Sequence, residues 1–544
     1  MKLSTYYKNK GDFVEFHKGL LSQSEVKLFD KVLITTLFTF DFSMCIQTIR
    51  YYIAILGVTK VFVGGIAATI MPENFLREIP GLNILTGQLT NSKILQYNDN
   101  INIDNLELDY DILWDIAYDY PTADSYFIYT SRGCPRKCNF CAVKTLEPKF
   151  YDCNNIQEQV SRVDNSYGKK KQFLIMDNNI LYSKEIDETI NNIAILGFGT
   201  DNNKIKKSSN MKYYISSLMK RMEIGKSYNN LLNRIKRDFA NLNFKRISKK
   251  DCDNLEIIIK TINLNNENEL VSCILNHQFF IIDFFERYNY HVITRFVDFN
   301  QGLDARLMTY DLAKKLGQLA ISPCRIAFDD LDTETHYMNA LDFCVQNGIT
   351  RFSNYLLYNF KDTPGDLWKR IYLNIQFCKK HPNVTLYSFP MKYAAIDHVD
   401  RSFVGPNWNK KYLRAMNVIL NVTSGIVAKE EDFFLRAFGR NEDEFKEILT
   451  MPDEFIRYRD FFEKKGLTQL WRYSYSRLTL TEENELINIL ERMVEEPEIV
   501  NRQFANNINE ILFYYGIRKK NVIANECYFD NMVNNLNKTL CLGM

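Results

Sequence analysis

The 544-residue chain lacks an excess of charge of either sign, because 68 Lys and Arg residues oppose 66 Asp and Glu residues. This balance excludes a globally basic nucleic-acid-binding protein and a highly charged disordered chain. Proline (12 residues) and glycine (22 residues) are scarce and 46% of residues are hydrophobic, which is typical of an ordered globular protein. At about 150 residues per domain, the length predicts three or four domains.

Neither a secretory signal nor a membrane helix is evident. The amino-terminal sequence MKLSTYYKNKGDFVEF has no apolar core, and the most apolar stretch, residues 31–71, is interrupted by Asp41, Arg50 and Lys60. We therefore expect a cytoplasmic protein with no membrane partner. In a reducing compartment, the 12 cysteines argue against a disulfide framework, so some of them should be metal ligands or buried thiols.

Strand-like and helix-like segments alternate in residues 31–124. The runs KVLITTLFTF (31–40), VFVGG (61–65) and NILTG (83–87) are rich in β-branched and apolar residues, as buried strands are. They predict a small Rossmann-like domain with a parallel sheet, preceded by an N-terminal extension of residues 1–30. The glycine pair 64–65 is weak evidence for phosphate binding, because a strand-to-helix turn needs glycine anyway.

A second strand–helix series begins at residue 125. Its six predicted strands are SYFIYT (125–130), FLIMD (173–177), RFVDFN (295–300), CRIAFD (324–329), RFSNYLLYNF (351–360) and VTLYSFP (384–390). They predict an α/β domain, residues 125–400, built as a partial (β/α)6 TIM-like barrel whose chemistry lies at the carboxyl ends of the strands. The helical pattern after residue 400 predicts a C-terminal α-helical domain, residues 401–544.

The gap between the second and third of these strands is too long for one helix, and it predicts a helical insertion at about residues 200–290. Within it, residues 204–250 hold fourteen Lys or Arg and only two acids, Glu223 and Asp238. With interleaved tyrosines, the segment could follow a phosphate backbone and make nucleic acid a partner. The alternative is a solvated helical face that docks on the acidic C-terminal segment, residues 429–500.

Three cysteines carry the strongest chemical signal. SRGCPRKCNFCAV places Cys134, Cys138 and Cys141 in C-x3-C-x2-C spacing directly after the first barrel strand. Thiolates this close on one loop can face a single metal centre, and all-sulfur ligation selects zinc or an iron–sulfur cluster. No Cys or His lies within ten residues of the triplet, and three ligands leave one coordination position open, as catalytic sites do.

This triplet, with Phe140 before the last cysteine, resembles the radical S-adenosylmethionine superfamily. The resemblance implies a [4Fe–4S] cluster held by the three cysteines, with S-adenosylmethionine bound at the open iron. Reductive cleavage of that molecule would give a 5′-deoxyadenosyl radical, which abstracts hydrogen from a substrate that the sequence does not name. It also implies a reducing partner such as flavodoxin or ferredoxin.

The resemblance extends over residues 125–397 and implies further cofactor-binding residues. Phe140 matches the position near the adenine. Asp177 and Asn178 end the second strand, where the family has a Gly-Gly-Glu-like motif for the methionyl ammonium; the glycines are absent here. Gln301, Asp304 and Arg306 follow the third strand, and Arg306 would pair with the methionyl carboxylate.

Two more acidic residues complete the implied set. FDDLD, with Asp329, is similar to the family's Gly-Ile-Glu-Ser segment near the ribose, and YNFKDTPGD, with Asp362, resembles its Gly-x-Pro-Gly-Glu-Thr turn. For each acid the competing interpretation is a helix cap or a structural salt bridge.

The Rossmann-like domain resembles that of cobalamin-binding members of the family. Its cobalt-ligating motif is missing, however, and no histidine occurs between His17 and His277. We therefore expect a domain that serves packing or substrate capture, while a cobalamin held without an imidazole stays open as the less favoured alternative.

The sequence is compatible with several functions. Within the family they are modification of an unidentified substrate, modification of a nucleic acid such as tRNA, and cobalamin-dependent methyl transfer. The usual N-terminal cluster domain of tRNA methylthiotransferases is absent, since only Cys45 precedes Cys134. The alternative from another class is a non-enzymatic zinc- or nucleic-acid-binding module.

Overall fold

The computed structural model describes residues 1–153, 155–243, 247–263, 266–493, 495–496, 498–499 and 504–542, without the side chains of residue 263 and of residues 536–542. Residues 244–246 of the basic segment and residues 494, 497 and 500 of the acidic segment lie outside this set. The chain divides into two compact units. The first holds residues 1–325, 342–349 and 396–401, and the second holds residues 326–341, 350–395 and 402–544.

The first unit begins with a parallel three-stranded sheet in the order β1-β2-β3. Its strands are β1 (Val32–Thr36), β2 (Val61–Gly65) and β3 (Asn83–Leu85). The helices of this region are α1 (Lys2–Lys8), α2 (Gln23–Val26), α3 (Phe42–Leu56), α4 (Ile66–Ile70) and α5 (Pro72–Glu78). Val61 and Val63 of β2 pack with Ile49 and Phe75 of the helices in one buried cluster. The three strands that the sequence predicts here are therefore present, and they are parallel.

A second parallel sheet of the first unit has the order β10-β7-β4. Its strands are β4 (Ser125–Ile128), β7 (Gln172–Ile175) and β10 (Phe296–Phe299). A two-stranded antiparallel ribbon of β5 (Ser131–Arg132) and β6 (Tyr151–Asp152) follows β4. The helices are α6 (Val143–Leu146), α7 (Ile156–Tyr167), α8 (Ile186–Ile193) and α14 (Tyr310–Leu316), and β11 (Cys324–Arg325) follows.

The insertion between β7 and β10 has its own core. Strands β8 (Lys204–Ser208) and β9 (Tyr290–Thr294) pair antiparallel and frame five helices: α9 (Met211–Glu223), α10 (Asn229–Ala240), α11 (Lys249–Asn263), α12 (Glu267–Asn276) and α13 (Gln278–Tyr288). Leu218, Leu231, Ile258 and Phe284 are among its fully buried residues. Helices make up most of this segment, and the sequence did not predict the β8–β9 ribbon at its base.

The second unit contains a parallel pair of strands and most of the C-terminal helices. Strands β12 (Arg351–Tyr358) and β13 (Thr385–Lys392) pair over their full length. The helices are α15 (Glu334–Gln346, which runs on into the first unit), α16 (Pro364–Lys380), α17 (Lys410–Val422), α18 (Glu431–Phe438), α19 (Glu442–Thr450), α20 (Asp453–Arg457), α21 (Arg459–Lys464), α22 (Leu467–Ser476), α23 (Leu480–Arg492), α24 (Asn506–Tyr515), α25 (Lys519–Ala524) and α26 (Glu526–Leu542).

The fold is mixed α/β with parallel sheets, as the sequence predicts at that level. A strand is present in each of the six segments predicted for the barrel. The closed arrangement of those strands, and the boundaries of the predicted domains, stay predictions. None of the described helices combines the length and apolar composition needed to span a membrane.

Candidate functional site

The cysteine loop, residues 133–150, is closed at its base by the β5–β6 ribbon. Ser131 lies opposite Asp152, and Arg132 lies opposite Tyr151. Parallel strands end at one edge of a sheet, so this loop shares the carboxyl edge with the residues that follow β7 and β10. The fold therefore brings together three segments that are separate in sequence: residues 130–141, 177–179 and 301–306.

Asp177 holds the start of this loop. Its carboxylate is 3% exposed and accepts hydrogen bonds from Thr130 N (2.8 Å) and Thr130 Oγ1 (2.6 Å), and from Ser131 N (2.6 Å) and Ser131 Oγ (2.7 Å). Burial raises the pKa of Asp177, and these four hydrogen bonds act in the opposite direction. In this structure the carboxylate therefore holds residues 130 and 131, which lead into the cysteine loop.

Glu147 holds the other side of the loop. Its Oε2 accepts hydrogen bonds from Gly133 N (2.7 Å) and Asn178 Nδ2 (2.8 Å), and its Oε1 lies 3.2 Å from Arg132 Nη2. Gly133 has φ +77°, and a Cβ atom there would lie 2.2 Å from the Lys149 carbonyl oxygen. Only glycine fits this turn. Asn178, predicted as a cofactor-binding residue, thus donates to Glu147.

Asn179 connects the cysteines to the segment after β10. Its Nδ2 lies 3.6 Å from Cys134 Sγ and 3.3 Å from Asp304 Oδ2. Asn179 is 4% exposed, and its Oδ1 is buried with no hydrogen-bond partner among the described residues. The sequence contains this residue in the run MDNN, but spacing alone did not single it out.

Asp304 and Arg306, both predicted site residues, bind each other. Arg306 Nε lies 2.7 Å from Asp304 Oδ1, and Arg136 Nε donates to Asp304 Oδ2. Burial opposes ionisation of Asp304, but the two arginines outweigh it and lower its pKa. Burial lowers the pKa of Arg306, but Asp304 and, to a smaller extent, the nearby Cys138 raise it. The raising effects are larger, so the pKa of Arg306 lies above its ordinary value.

Arg136, Cys138 and Arg306 border an open cleft of about 430 Å³. Its lining residues are Pro135, Arg136, Lys137, Cys138, Tyr182, Arg306 and Leu307. Phe140 is half-buried in the same loop, and Gln301 is exposed in the turn after β10. Arg136 is a member of this group that the sequence analysis missed, although it lies inside the cysteine motif.

The three cysteine thiols are partly exposed, and the N–H group of Cys141 donates to the Cys138 carbonyl oxygen at 3.1 Å. In the part of the chain that the structure describes, no three Cys, His, Asp or Glu side chains converge as a metal-binding group. The chemistry of the donor set nevertheless fits an iron–sulfur cluster, because three soft thiols share one loop, which also holds Arg136, and Arg306 approaches Cys138 from the segment after β10. Binding would have to draw the thiols together.

Cys153 is the nearest further thiol in sequence. Its N–H group donates to the Thr130 carbonyl oxygen at 2.8 Å, and burial raises the pKa of its thiol to about 12. A thiol with this pKa stays protonated at neutral pH and is a poor metal ligand. This residue lines a second cavity of about 430 Å³, which contains none of the predicted site residues.

Asp329 and Asp362 belong to the second unit and surround Arg370 there. The fully buried Arg370 donates to the carbonyl oxygens of Asp329 (3.0 Å) and Leu357 (2.7 Å), and its Nη2 lies 3.3 Å from Asp362 Oδ2. Burial raises the pKa of Asp362. The adjacent Thr363 caps α16 in a capping box with Asp366. The Asp362 contact corresponds to the structural alternative for that acid, whereas the Asp329 contact involves its backbone carbonyl and leaves the role of its carboxylate a prediction.

No protein-family model matches the sequence, and no curated protein matches it either. Among solved structures, the chain is similar to the radical S-adenosylmethionine methyltransferase TsrM from Kitasatospora setae with cobalamin and a [4Fe–4S] cluster bound, at 9% identity and a TM-score of 0.37. A second structure of TsrM, with tryptophan substrate and the SAM analog aza-SAM bound, is similar at 10% identity and the same TM-score. Each match covers 68% of this chain and 64% of TsrM. Likeness at this level decides nothing about the chemistry of this chain.

Proposed function

We propose that the protein is a radical S-adenosylmethionine enzyme whose [4Fe–4S] cluster is held by Cys134, Cys138 and Cys141. The observation that supports this most directly is the C-x3-C-x2-C loop at the carboxyl edge of a parallel sheet, next to two arginines. The proposal includes the partial (β/α)6 barrel, which the parallel pairs β4–β7, β7–β10 and β12–β13 support.

The bound cluster would supply the electron that cleaves S-adenosylmethionine and yields the 5′-deoxyadenosyl radical. The chain's own residues position the cofactors and exclude water. Asp177 and Glu147 fix the loop, Asn179 donates toward Cys134, and Phe140 provides an apolar surface for the adenine. Arg306 already binds Asp304, so a methionyl carboxylate would have to share or displace that contact. An electron donor such as flavodoxin or ferredoxin is required.

The test is anaerobic reconstitution of the full-length protein with iron and sulfide. We expect about four irons per chain and release of 5′-deoxyadenosine from S-adenosylmethionine with dithionite. Cys138→Ala should abolish both, whereas Cys153→Ala should retain both because its thiol is not in the loop. An intact cluster without 5′-deoxyadenosine would exclude the catalysis, and one zinc without iron would favour the non-enzymatic binding module.

Cobalamin-dependent methyl transfer is the second candidate. Leu37 and Phe38 after β1, Met44 of α3 and Ile66 after β2 are exposed large apolar side chains. They lie where ligands bind in open parallel sheets, outside the carboxyl ends of the strands. This apolar edge supports a ligand such as cobalamin, held without an imidazole.

Titration of the full-length protein with hydroxocobalamin, followed by absorbance after gel filtration, tests this candidate. Bound cobalamin should decrease in Phe38→Asp and stay unchanged in Leu480→Asp, which alters an exposed apolar residue of the second unit. Absence of binding to the unaltered protein removes the candidate without affecting the radical chemistry.

A further inference from the structure

Five bases of the insertion are paired with acids of residues 111–124. Arg221 and Lys226 lie 2.8 Å from Asp115, and Arg234 and Arg237 lie 2.7 and 2.6 Å from Asp119. Lys207 pairs with Asp124. These five bases attach the insertion to residues 111–124 of the same unit, so the alternative of docking on the acidic C-terminal segment does not account for them. Lys204 and Lys206 remain exposed.

Lys204 and Lys206 share one face of the β8–β9 ribbon. They pair opposite Thr294 and Val292, and side chains two residues apart on a strand lie on the same face. Tyr290 and Val292 of that face are 40% and 68% exposed. The Lys206 ammonium lies 3.8 Å from the centre of the Tyr290 ring. The face thus combines cations with an accessible aromatic ring.

A distant part of the sequence adds two more cations. Lys169 and Lys171, in the loop before β7, are exposed. The carbonyl oxygen of Lys171 accepts from Phe296 N, two residues after Thr294, and Lys171 N donates to the carbonyl oxygen of Asp124, whose carboxylate binds Lys207. Lys171 is thus joined through its backbone to Phe296 of β10, two residues after the ribbon. The exposed residues Lys169, Lys171, Lys204 and Lys206 are together called here the lysine patch; Asp201 is an exposed acid three residues before Lys204.

The lysine patch lies at the opposite end of the sheet from the cysteine loop. Lys171 directly precedes β7 and the ribbon directly precedes β10, whereas the cysteines and residues 177–179 and 301–306 follow strands. A four-residue strand spans about 13 Å. A protein that delivers electrons has to approach the cysteine loop, so the patch does not suit the reductase.

We propose that the lysine patch binds single-stranded nucleic acid, with its lysines on phosphates and Tyr290 stacked on a base. Ammonium groups near an exposed aromatic ring are the combination that sequence-independent single-strand binders use. The patch anchors the strand away from the cysteine loop and does not depend on the proposed radical chemistry.

The test is fluorescence anisotropy of the full-length protein with a fluorescein-labelled 20-nucleotide oligouridylate at 50–300 mM KCl. Four phosphate contacts predict a slope of log K against log salt of about −3. Lys204→Glu/Lys206→Glu should weaken binding at least about tenfold and reduce the slope by about 1.4. Tyr290→Ala should weaken it about fivefold or more.

The matched control is Lys60→Glu/Lys93→Glu, which makes the same charge change at two exposed lysines of the first unit. It should bind like the unaltered protein. Lys204→Gln/Lys206→Gln repeats the test with a smaller change if the glutamate variant misfolds. Absence of binding at 50 mM KCl, an equal loss in the control, or binding to phosphatidylserine vesicles but not to RNA would each overturn the proposal.

Discussion

Asp177 Oδ2 accepts two hydrogen bonds from Ser131, one from its N–H group at 2.6 Å and one from its hydroxyl at 2.7 Å. Asp177, two residues after the end of β7, thereby fixes the residue three positions before the first cysteine of the motif. This buried carboxylate therefore positions the residues that lead into the cysteine loop.

Asp177→Asn should destabilise the protein by about 1–3 kcal/mol, because an amide offers one acceptor where the carboxylate offers two. In either orientation of the amide, the N–H group of Thr130 or of Ser131 would face an amide donor. Urea unfolding measures the cost, and reconstituted iron per chain should fall with it. Asp187→Asn, the same change at a largely exposed carboxylate of α8, is the comparison; an equal loss there would contradict a specific role for Asp177.

Gly133→Ala should prevent the cysteine loop from adopting its present turn. The added Cβ meets the Lys149 carbonyl oxygen at 2.2 Å, and the positive φ adds strain. Gly81→Ala has a similar φ of +80° but open space around its Cβ, so it isolates the backbone strain. We expect a cost of about 1 kcal/mol at Gly81 and at least about 3 kcal/mol at Gly133. Similar melting temperatures for the two variants would refute the close approach.

Asp115→Asn should loosen the insertion. The Asp115 side chain is 1% exposed and faces both Arg221 and Lys226, so its loss leaves the buried Lys226 without a carboxylate and the buried Arg221 with Asp111 alone. The expected cost is about 3–5 kcal/mol. Asp119→Asn removes a half-exposed carboxylate from Arg234 and Arg237, for which about 1 kcal/mol or less is expected. Limited proteolysis between residues 211 and 288, together with urea unfolding, distinguishes the two.

The Asp304–Arg306 contact should make the free energy of unfolding depend on pH in the acidic range. The pKa of Asp304 is lowered from its ordinary value of 3.8, so the ionised carboxylate stabilises the folded state above that pH. This contribution is lost as the pH falls below 3.8 through the folded-state pKa. Asp304→Asn should therefore be less stable than the unaltered protein at pH 6, and the difference should shrink by pH 3. A constant difference across that range in urea unfolding would contradict the assignment.

The sequence predicted most of the secondary structure. The β-branched run at residues 61–65 forms β2 with those bounds, and all six segments assigned to the barrel contain a strand. A short, continuously apolar run between two helices predicts a strand of a parallel sheet, because such a strand is covered on both faces and buries all of its side chains. The helical insertion was predictable from length. Between the second and third predicted barrel strands lie 117 residues, many more than one connecting helix needs.

Contacts between distant segments were not predictable in the same way. Asp177 and Asn178 are adjacent, yet one donates nothing and accepts from Thr130 and Ser131, while the other donates to Glu147. Residue type states which hydrogen bonds a side chain can make, but the backbone path decides which partner is within 3 Å. The sequence did not indicate Arg136 and Asn179 as site residues, because each donates a hydrogen bond to Asp304, which is more than 100 positions away in the chain.

The sequence by itself determined the cysteine spacing, the strands that precede each polar segment and the total charge of the insertion. The tertiary structure alone decided which charges remain available. It placed Arg221, Lys226 and Arg234 against the carboxylates of Asp111, Asp115 and Asp119, and it joined Lys171 to Phe296 of β10, two residues after the β8–β9 ribbon. A count along the chain sums charges that pairing neutralises, because Coulomb attraction depends on distance in space and on burial rather than on sequence position.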